Sequence, residues 1–231
     1  MSKDVIDKRV KTVADAVAGV KDGATVLVAG FGTVGVANNL LEALHEQGAK
    51  DLTIVANNSG NGDWGLARLI NSGRVRKVIC SYPRSDDYSA FLKAYRAKTL
   101  ELELVPQGTI SERMRCAAAG LGGFFSPVSA GTKLAEGKEQ RMIDGKLHVF
   151  EKPLKGDLAV VKAAKSDRWG NLIYNKSARN FNPVCAMAAE LTAVEVDEFV
   201  ELGSLDPEAV VTPGIFVDRV VVVAGKQTGD K

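Results

Sequence analysis

Four short segments hold most of the side chains that could do chemistry, and each follows a run that reads as a strand. Gly30-Phe31-Gly32-Thr33-Val34-Gly35 follows Thr25 to Ala29, and Asn57-Asn58-Ser59-Gly60 follows Leu52 to Ala56. Ser81-Tyr82-Pro83-Arg84 follows Lys77 to Cys80, and Pro106-Gln107-Gly108-Thr109 follows Leu100 to Val105. These segments offer side-chain amides, glycine backbone and one guanidinium. They offer no histidine, cysteine or paired carboxylate. Such a set can bind a carbonyl compound and polarise it with hydrogen bonds, but it brings no nucleophile or base of its own.

Each residue also has a plainer reading. Glycines after a strand serve equally as a tight turn, and Asn57 and Asn58 as turn formers. Gln107 can be a loop residue ahead of a helix capped at Thr109. Arg84 can be a surface arginine paired with Asp86 or Asp87. His45 is expected on an exposed helix face and His148 in a hairpin, neither placed as a ligand or base. Trp64 and Trp169 read as packing residues, and Cys80 as a core thiol. What favours chemistry is that parallel strands would put all four segments on one edge of a sheet, where open α/β sheets bind ligands.

The first segment has a competing reading. Gly30, Gly32 and Gly35 spell G-x-G-x-x-G between a strand and a helix, the dinucleotide-binding fingerprint. That fingerprint also needs an acidic residue at the end of the second strand to hold a ribose hydroxyl. Asp51 has the right count but precedes that strand, and Asn57 stands at its end. A nucleotide-dependent oxidoreductase therefore ranks second.

The elements that would position these segments follow from periodicity. Val10, Val13, Val17 and Val20 predict a helix ending at Asp22-Gly23, and Leu40, Leu41 and Leu44 predict a second. Leu66, Leu69 and Ile70 predict a third, and Tyr88, Phe91, Leu92 and Tyr95 a fourth. Thr109-Ile110-Ser111-Glu112 is a capping-box pattern and predicts a helix starting near Ser111. The Leu–Glu alternation from Leu100 to Val105 predicts a half-exposed strand. Alternating strands and helices over the first 120 residues or so predict an open, mainly parallel sheet with helices on both faces. Farther on, Gln140 to Phe150 predicts a hairpin turning at Asp144-Gly145, and Asp157 to Ala163 another strand. Arg168 to Asn171 reads as a tight turn, followed by a short helix near Ala186 and strands near Val194 and Val220. No linker or repeat interrupts the chain, which reads as a single α/β domain over residues 1–231.

Bulk composition narrows the classes. The 231 residues are 45% hydrophobic, enough for a sizeable core. A net charge of +2, with the basic residues dispersed, argues against nucleic acid or a membrane surface as partner. Cys80, Cys116 and Cys185 are odd in number and lack metal-ligand spacing, so they read as reduced thiols of a cytoplasmic protein with no metal. Met1 to Lys11 is charged, unlike a signal peptide, and the apolar run Val220 to Ala224 is too short to span a bilayer.

Several longer motifs, in order, carry a family resemblance. They are AGFGTVG (29–35), ANNSGNGDWGLA (56–67), PQGTISERMR (106–115), FFSP (124–127), DRWGNLIYNKSARNF (167–181) and ELGSLDPEAVVTPGIFVDRVV (201–221). Over about Val10 to Val223 the chain resembles the A (alpha) subunits of family I 3-oxoacid CoA-transferases. CSYPRSDDY (80–88) and DRWGNL (167–172) are similar to the 3-oxoadipate branch, which takes CoA from succinyl-CoA in bacterial aromatic degradation. The resemblance implies an open α/β fold of the CoA-transferase alpha-subunit type and a ping-pong reaction. The nucleophile would be a glutamate in a Ser-Glu-Asn-Gly motif of the B (beta) subunit; this chain lacks that motif. The resemblance implies that Ala29, Gly30, Phe31, Gly32, Thr33, Val34 and Gly35 bind CoA. It also implies that Asn57 and Asn58 line the acyl site and that Gln107 helps stabilise the oxyanion. Arg84 is then a candidate for the distal carboxylate of 3-oxoadipate. A CoA thioester would be the substrate, with no permanent cofactor. A heterodimer or heterotetramer with the B subunit would be the working form. The chain departs from the family at Ala29 and Ala37, where glycine and proline are usual. Without a nucleophile, a non-catalytic CoA- or acyl-binding protein stands as a third reading.

Overall fold

A computed structural model describes residues 6–223. Met1 to Val5 of the charged start, and Ala224 of the last apolar run, lie outside the described residues.

Seven parallel strands form the main sheet. They are β1 (Thr25–Val28), β2 (Leu52–Ala56), β3 (Val75–Cys80), β4 (Glu101–Leu104), β8 (Gly156–Ser166), β10 (Ala189–Phe199) and β11 (Arg219–Val222), in the order β11-β10-β8-β1-β2-β3-β4. A short β9 (Leu172–Ile173) returns antiparallel against the end of β8. A second sheet, β5-β7-β6, is antiparallel: β5 (Phe124–Ser126), β6 (Gln140–Ile143) and β7 (Lys146–Glu151). Its β6–β7 hairpin turns at Asp144-Gly145, both in the left-handed region, as such a tight turn requires.

Strand alternation divides the interior into two cores. Val26, Val28, Ile54, Ala56, Val78 and Cys80 face one side. There they meet α1 (Val13–Val17), α2 (Asn38–Gln47), α3 (Leu66–Asn71) and α4 (Ser89–Arg96). Leu27, Ala29, Val55 and Ile79 face the other side and meet α5 (Gln107–Ala118) and α6 (Asn182–Met187). Burial on both faces explains why these strands read as continuous apolar runs. The β4 edge differs as its Leu–Glu alternation predicts: Glu103 pairs with Lys77 at 2.6 Å and Arg113 at 3.3 Å. Charges of this kind blunt an edge strand.

Two helices depart from expectation. The first is only Val13–Val17: its C-cap Ala18 is already extended, and Gly19 follows at φ +89, well before Gly23. Thr12 and Asp15 form its capping box, and the Arg219 guanidinium donates to the carbonyls of Asp15, Ala16 and Ala18 at its far end. The second departure bears on chemistry. Helix α5 begins at Gln107, not near Ser111, with Pro106 as N-cap and no side-chain cap bond. Pro106 has no N–H to lose and its carbonyl accepts from Ile110 at 2.9 Å, so the helix starts directly behind it. Thr109 lies buried inside the first turn instead of capping it.

Helix α2 is closed from a distance. Glu195 on β10 has no exposed surface; its carboxyl accepts from the Leu40 N–H at 3.2 Å and the Asn39 side chain at 3.3 Å. Lys162 stands 3.6 Å away but also pairs with Asp197 at 2.8 Å. Burial pushes the Glu195 carboxyl above its ordinary 4.5, against the pull of Lys162 and the N–H donors. A raised folded value means that the native state binds the proton more tightly than the unfolded chain does. The stability contribution is then full below the unfolded value and lost as pH rises through the folded one. Glu195→Gln should therefore gain on wild type as pH rises from about 4 to 7. Urea melts of both proteins across that range check this, and a flat difference would contradict it.

Candidate functional site

Parallel pairing brings the four segments to one edge, as the sequence predicts. Each is shaped by its backbone. The glycine segment folds into a tight loop in which Phe31 and Val34 exchange two backbone hydrogen bonds of 3.0 Å. Gly30 sits at φ +119, and a Cβ there would lie 2.4 Å from the Val36 side chain, so only glycine fits. The Ala29 methyl packs in the core beside α5 and α6, and Ala37 is fully buried at the start of α2. Both alanines thus fill the interior.

The loop tip separates two clefts. The first, 230 Å³, is lined by Ala29, Gly30, Gly32 and Thr33 on one side and by Asn57 and Asn58 on the other. The second, 380 Å³, is lined by Gln107, Gly108 and Ser111 of α5 and by Phe31, Asn180 and Phe181. Phe31 is 49% exposed. Asn57 and Gln107 therefore share the edge but not a cleft.

The asparagines differ in what they can offer. The Ser81 hydroxyl donates to Asn57 Oδ1 at 2.8 Å, which orients the amide and leaves its NH₂ as the donor available to a ligand. Asn58 is used at both ends: its Nδ2 donates to the Gly32 carbonyl at 3.3 Å and its Oδ1 accepts from the Gly60 N–H at 2.9 Å. For Asn58 the turn-forming reading describes the geometry. Gln107 is exposed at the first position of α5, beside amides that no side chain caps.

Arg84 lies outside both clefts, exposed, with its guanidinium 5.4 Å from the Tyr88 ring centre. The neighbouring Tyr88 and Tyr82 phenols raise its already high pKa further. Among the described residues no carboxylate pairs with it; Asp87 instead accepts from the Ser89 N–H at 3.0 Å. The surface ion pair with Asp86 or Asp87 is not formed in this structure.

Other groups are quickly placed. Burial pushes the Cys80 thiol up to about 12, despite a backbone hydrogen bond from Tyr82, and pushes Cys185 up to about 12 as well. These are protonated core thiols, not nucleophiles. All three cysteines are free and buried. His45 is half-buried with an unpartnered Nδ1, not exposed as its helix position suggested. Trp169 is 45% exposed, and half-buried Trp64 flanks the first cleft. Among the described residues no group of three His, Cys, Asp or Glu could hold a metal. No helix there is long and apolar enough to cross a membrane.

The dinucleotide reading fails on geometry. In that motif a pyrophosphate sits on the helix N-terminus. Here the Glu195 carboxyl already occupies the first turn of α2, and Asn57, not an acidic residue, directly follows the second strand. Gly35 serves a different purpose: a Cβ would lie 2.6 Å from the Ala178 carbonyl, so its absence admits the 178–182 segment.

Sequence reasoning missed that segment and Asp63, an exposed carboxylate at the first cleft. The segment lies downstream of β8, the fifth parallel strand and the direct neighbour of β1, beyond the ends of the first four strands. Asn175, Asn180 and Asn182, clustered downstream of β8, were the available signal.

Comparison with known proteins gives the family and the fold. The coenzyme A transferase family model matches residues 10–223. The A subunit of 3-oxoadipate CoA-transferase from Pseudomonas putida is 55% identical over 221 residues, 96% of each chain. The protein of the same name from Acinetobacter baylyi is 54% identical over 95% of this chain and 96% of its own. Among solved structures, an acyl-CoA transferase from E. coli O157:H7, in thioester complex with CoA, superposes with a TM-score of 0.85 at 22% identity. The match covers 96% of this chain and 51% of that one, so this chain spans about half its length. The low identity speaks for the fold alone; the family rests on the family model and the two relatives. This chain belongs to the coenzyme A transferase family.

Proposed function

We propose that this chain is the A subunit of a cytoplasmic CoA-transferase that moves CoA from succinyl-CoA to 3-oxoadipate, giving 3-oxoadipyl-CoA and succinate. The observation that carries the reading is identity of 54–55% over nearly the full length of two proteins of that name. The site supports it: the edge has donors for a thioester carbonyl, and no glutamate lines either cleft. The B subunit supplies the glutamate, and the working enzyme is a heterodimer or heterotetramer. No permanent cofactor is needed, because the CoA thioester is itself the substrate.

The reaction runs in two mirrored halves. The glutamate carboxylate of the B subunit, as nucleophile, attacks the succinyl thioester carbonyl and expels the CoA thiolate, leaving a mixed anhydride. The thiolate attacks the glutamyl carbonyl and releases succinate, leaving an enzyme thioester. A carboxylate of 3-oxoadipate attacks that thioester, and the thiolate freed again takes the 3-oxoadipyl group. No net oxidation or proton transfer is required. Each attack places negative charge on a carbonyl oxygen.

Gln107 is the donor we assign to that oxygen. The first turn of α5 adds favourable potential because its amides are uncapped. Loop 29–35 holds the CoA limb of the thioester, and Asn57 offers an NH₂ on the acyl side. Asn58 shapes the pocket by holding Gly32 to the β2 loop.

Three outcomes test the reading. The purified chain alone should be inactive, and adding the B subunit should give turnover of succinyl-CoA with 3-oxoadipate. Robust transferase turnover without a partner would overturn it, and a preference for acetoacetate would move it to another short 3-oxo acid. In the reconstituted enzyme, Gln107→Ala should lower kcat by roughly 10²-fold, the size of a lost oxyanion donor, with the melting temperature unchanged. Near wild-type turnover would remove the oxyanion role. Arg84→Ala should lower kcat/KM for 3-oxoadipate strongly and for a monocarboxylic 3-oxo acid little, which requires Arg84 to swing from Tyr88 toward the substrate. Equal effects on both acids, or none, would refute its role.

A further inference from the structure

The segment after β9 touches the glycine loop through two asparagines. Asn180 Nδ2 donates to the Val34 carbonyl at 3.0 Å and to the Ser177 carbonyl at 3.0 Å, and its Oδ1 accepts from the Phe181 N–H at 2.6 Å. Asn182, with no exposed surface, donates to the Gly35 carbonyl at 2.9 Å and the Ala178 carbonyl at 2.8 Å. Its Oδ1 accepts from the Lys162 N–H at 2.8 Å, which ties the group to β8. Two successive loop carbonyls are thus gripped from one side. The contact is close: a Cβ on Gly35 would lie 2.9 Å from Asn180 Nδ2 and 3.0 Å from Asn182 Nδ2. Asn180 also lines the cleft of Gln107, so one side chain touches the loop and borders the second cleft.

We propose that Asn180 is a positioning residue for the thioester: by holding the Val34 carbonyl it keeps the glycine loop at one fixed placement relative to Gln107. The inference rests on the reading of loop 29–35 as the CoA-binding segment. Asn182 anchors the segment to the sheet, and Asn180 carries the setting to the loop. Asn180 is half-buried at the surface, where substitution leaves the core intact. Its exchange for aspartate keeps the shape and the acceptor for Phe181 but removes both donated bonds, and turns a carboxylate toward two carbonyls.

The test uses the reconstituted enzyme with both subunits. Asn180→Asp should speed hydrogen exchange of the amides at 31–35, while amides of β1 and β8 exchange as in wild type. The KM for succinyl-CoA should rise about tenfold, on the scale of one lost hydrogen bond plus a repulsive contact. The KM for 3-oxoadipate and the melting temperature should hold. Asn180→Ala should show the same pattern more weakly, since it removes the bonds without the repulsion. Unchanged loop exchange and unchanged KM in both variants would overturn the proposal. So would a general rise in exchange with a fall in melting temperature, which marks a merely structural role. Gly32→Val separates this from failure of the underlying reading: it strains the loop at φ +61 in open space without touching Asn180. If Gly32→Val raises the KM for succinyl-CoA and Asn180→Asp does not, the positioning role fails and the loop keeps its function. If neither moves the KM, the loop does not bind CoA and the inference falls with it.

Discussion

Parallel pairing of β1 with β8 on one side and β2 on the other is the constraint from which the site follows. In a parallel sheet all strands leave at the same edge, so the segments after β1, β2, β3 and β4 must lie side by side. Right-handed crossovers through helices then cover both faces and bury the strands. The register continues through β8 to β10, where Lys162 faces Glu195. That pairing sets a buried carboxyl beneath the first turn of α2, and the turn in its place orients the loop that precedes it.

Two of the helices that open on this edge, α2 and α5, are finished differently, and the difference has chemical consequences. Helix α2 has its first turn satisfied by Glu195, a buried group belonging to the sheet. An anion arriving there would meet an acidic group, not free amides. Helix α5 starts at Pro106-Gln107 with nothing capping it. The macrodipole favours negative charge at such an end. A glycine fingerprint in front of α2 therefore does not make a dinucleotide site, whereas the end of α5 suits transient charge on a carbonyl oxygen.

The glycine loop depends on contacts from distant sequence. Its tip closes on itself through Phe31 and Val34, but its downstream limb is held by Asn180 and Asn182. Val34 is exposed and Gly35 half-buried, so each of these bonds contributes about 0.5–1.5 kcal/mol, and together they bias the loop toward one shape. Gly35 is required because the holding segment approaches to within a side chain's thickness. Two parts of the chain about 145 residues apart thus form one structure.

Much of this was legible in the sequence. The apolar runs at Thr25 to Ala29 and Leu52 to Ala56, the Leu–Glu alternation of β4 and the Asp144-Gly145 turn read correctly, because period-two patterning and turn chemistry are local. The edge was legible too, since alternating strands and helices imply parallel order. The family motifs identified the chemistry without geometry. Tertiary structure decided the rest. It ended α1 at Val17, started α5 at Gln107, separated Asn57 from Gln107 by the Phe31 tip, turned Arg84 onto Tyr88 and satisfied both ends of Asn58. It also brought Asn180 and Glu195 to the first loop and helix. These outcomes depend on hydrogen bonds between residues far apart in the chain, and a linear pattern carries propensity and periodicity but not the partners that folding supplies.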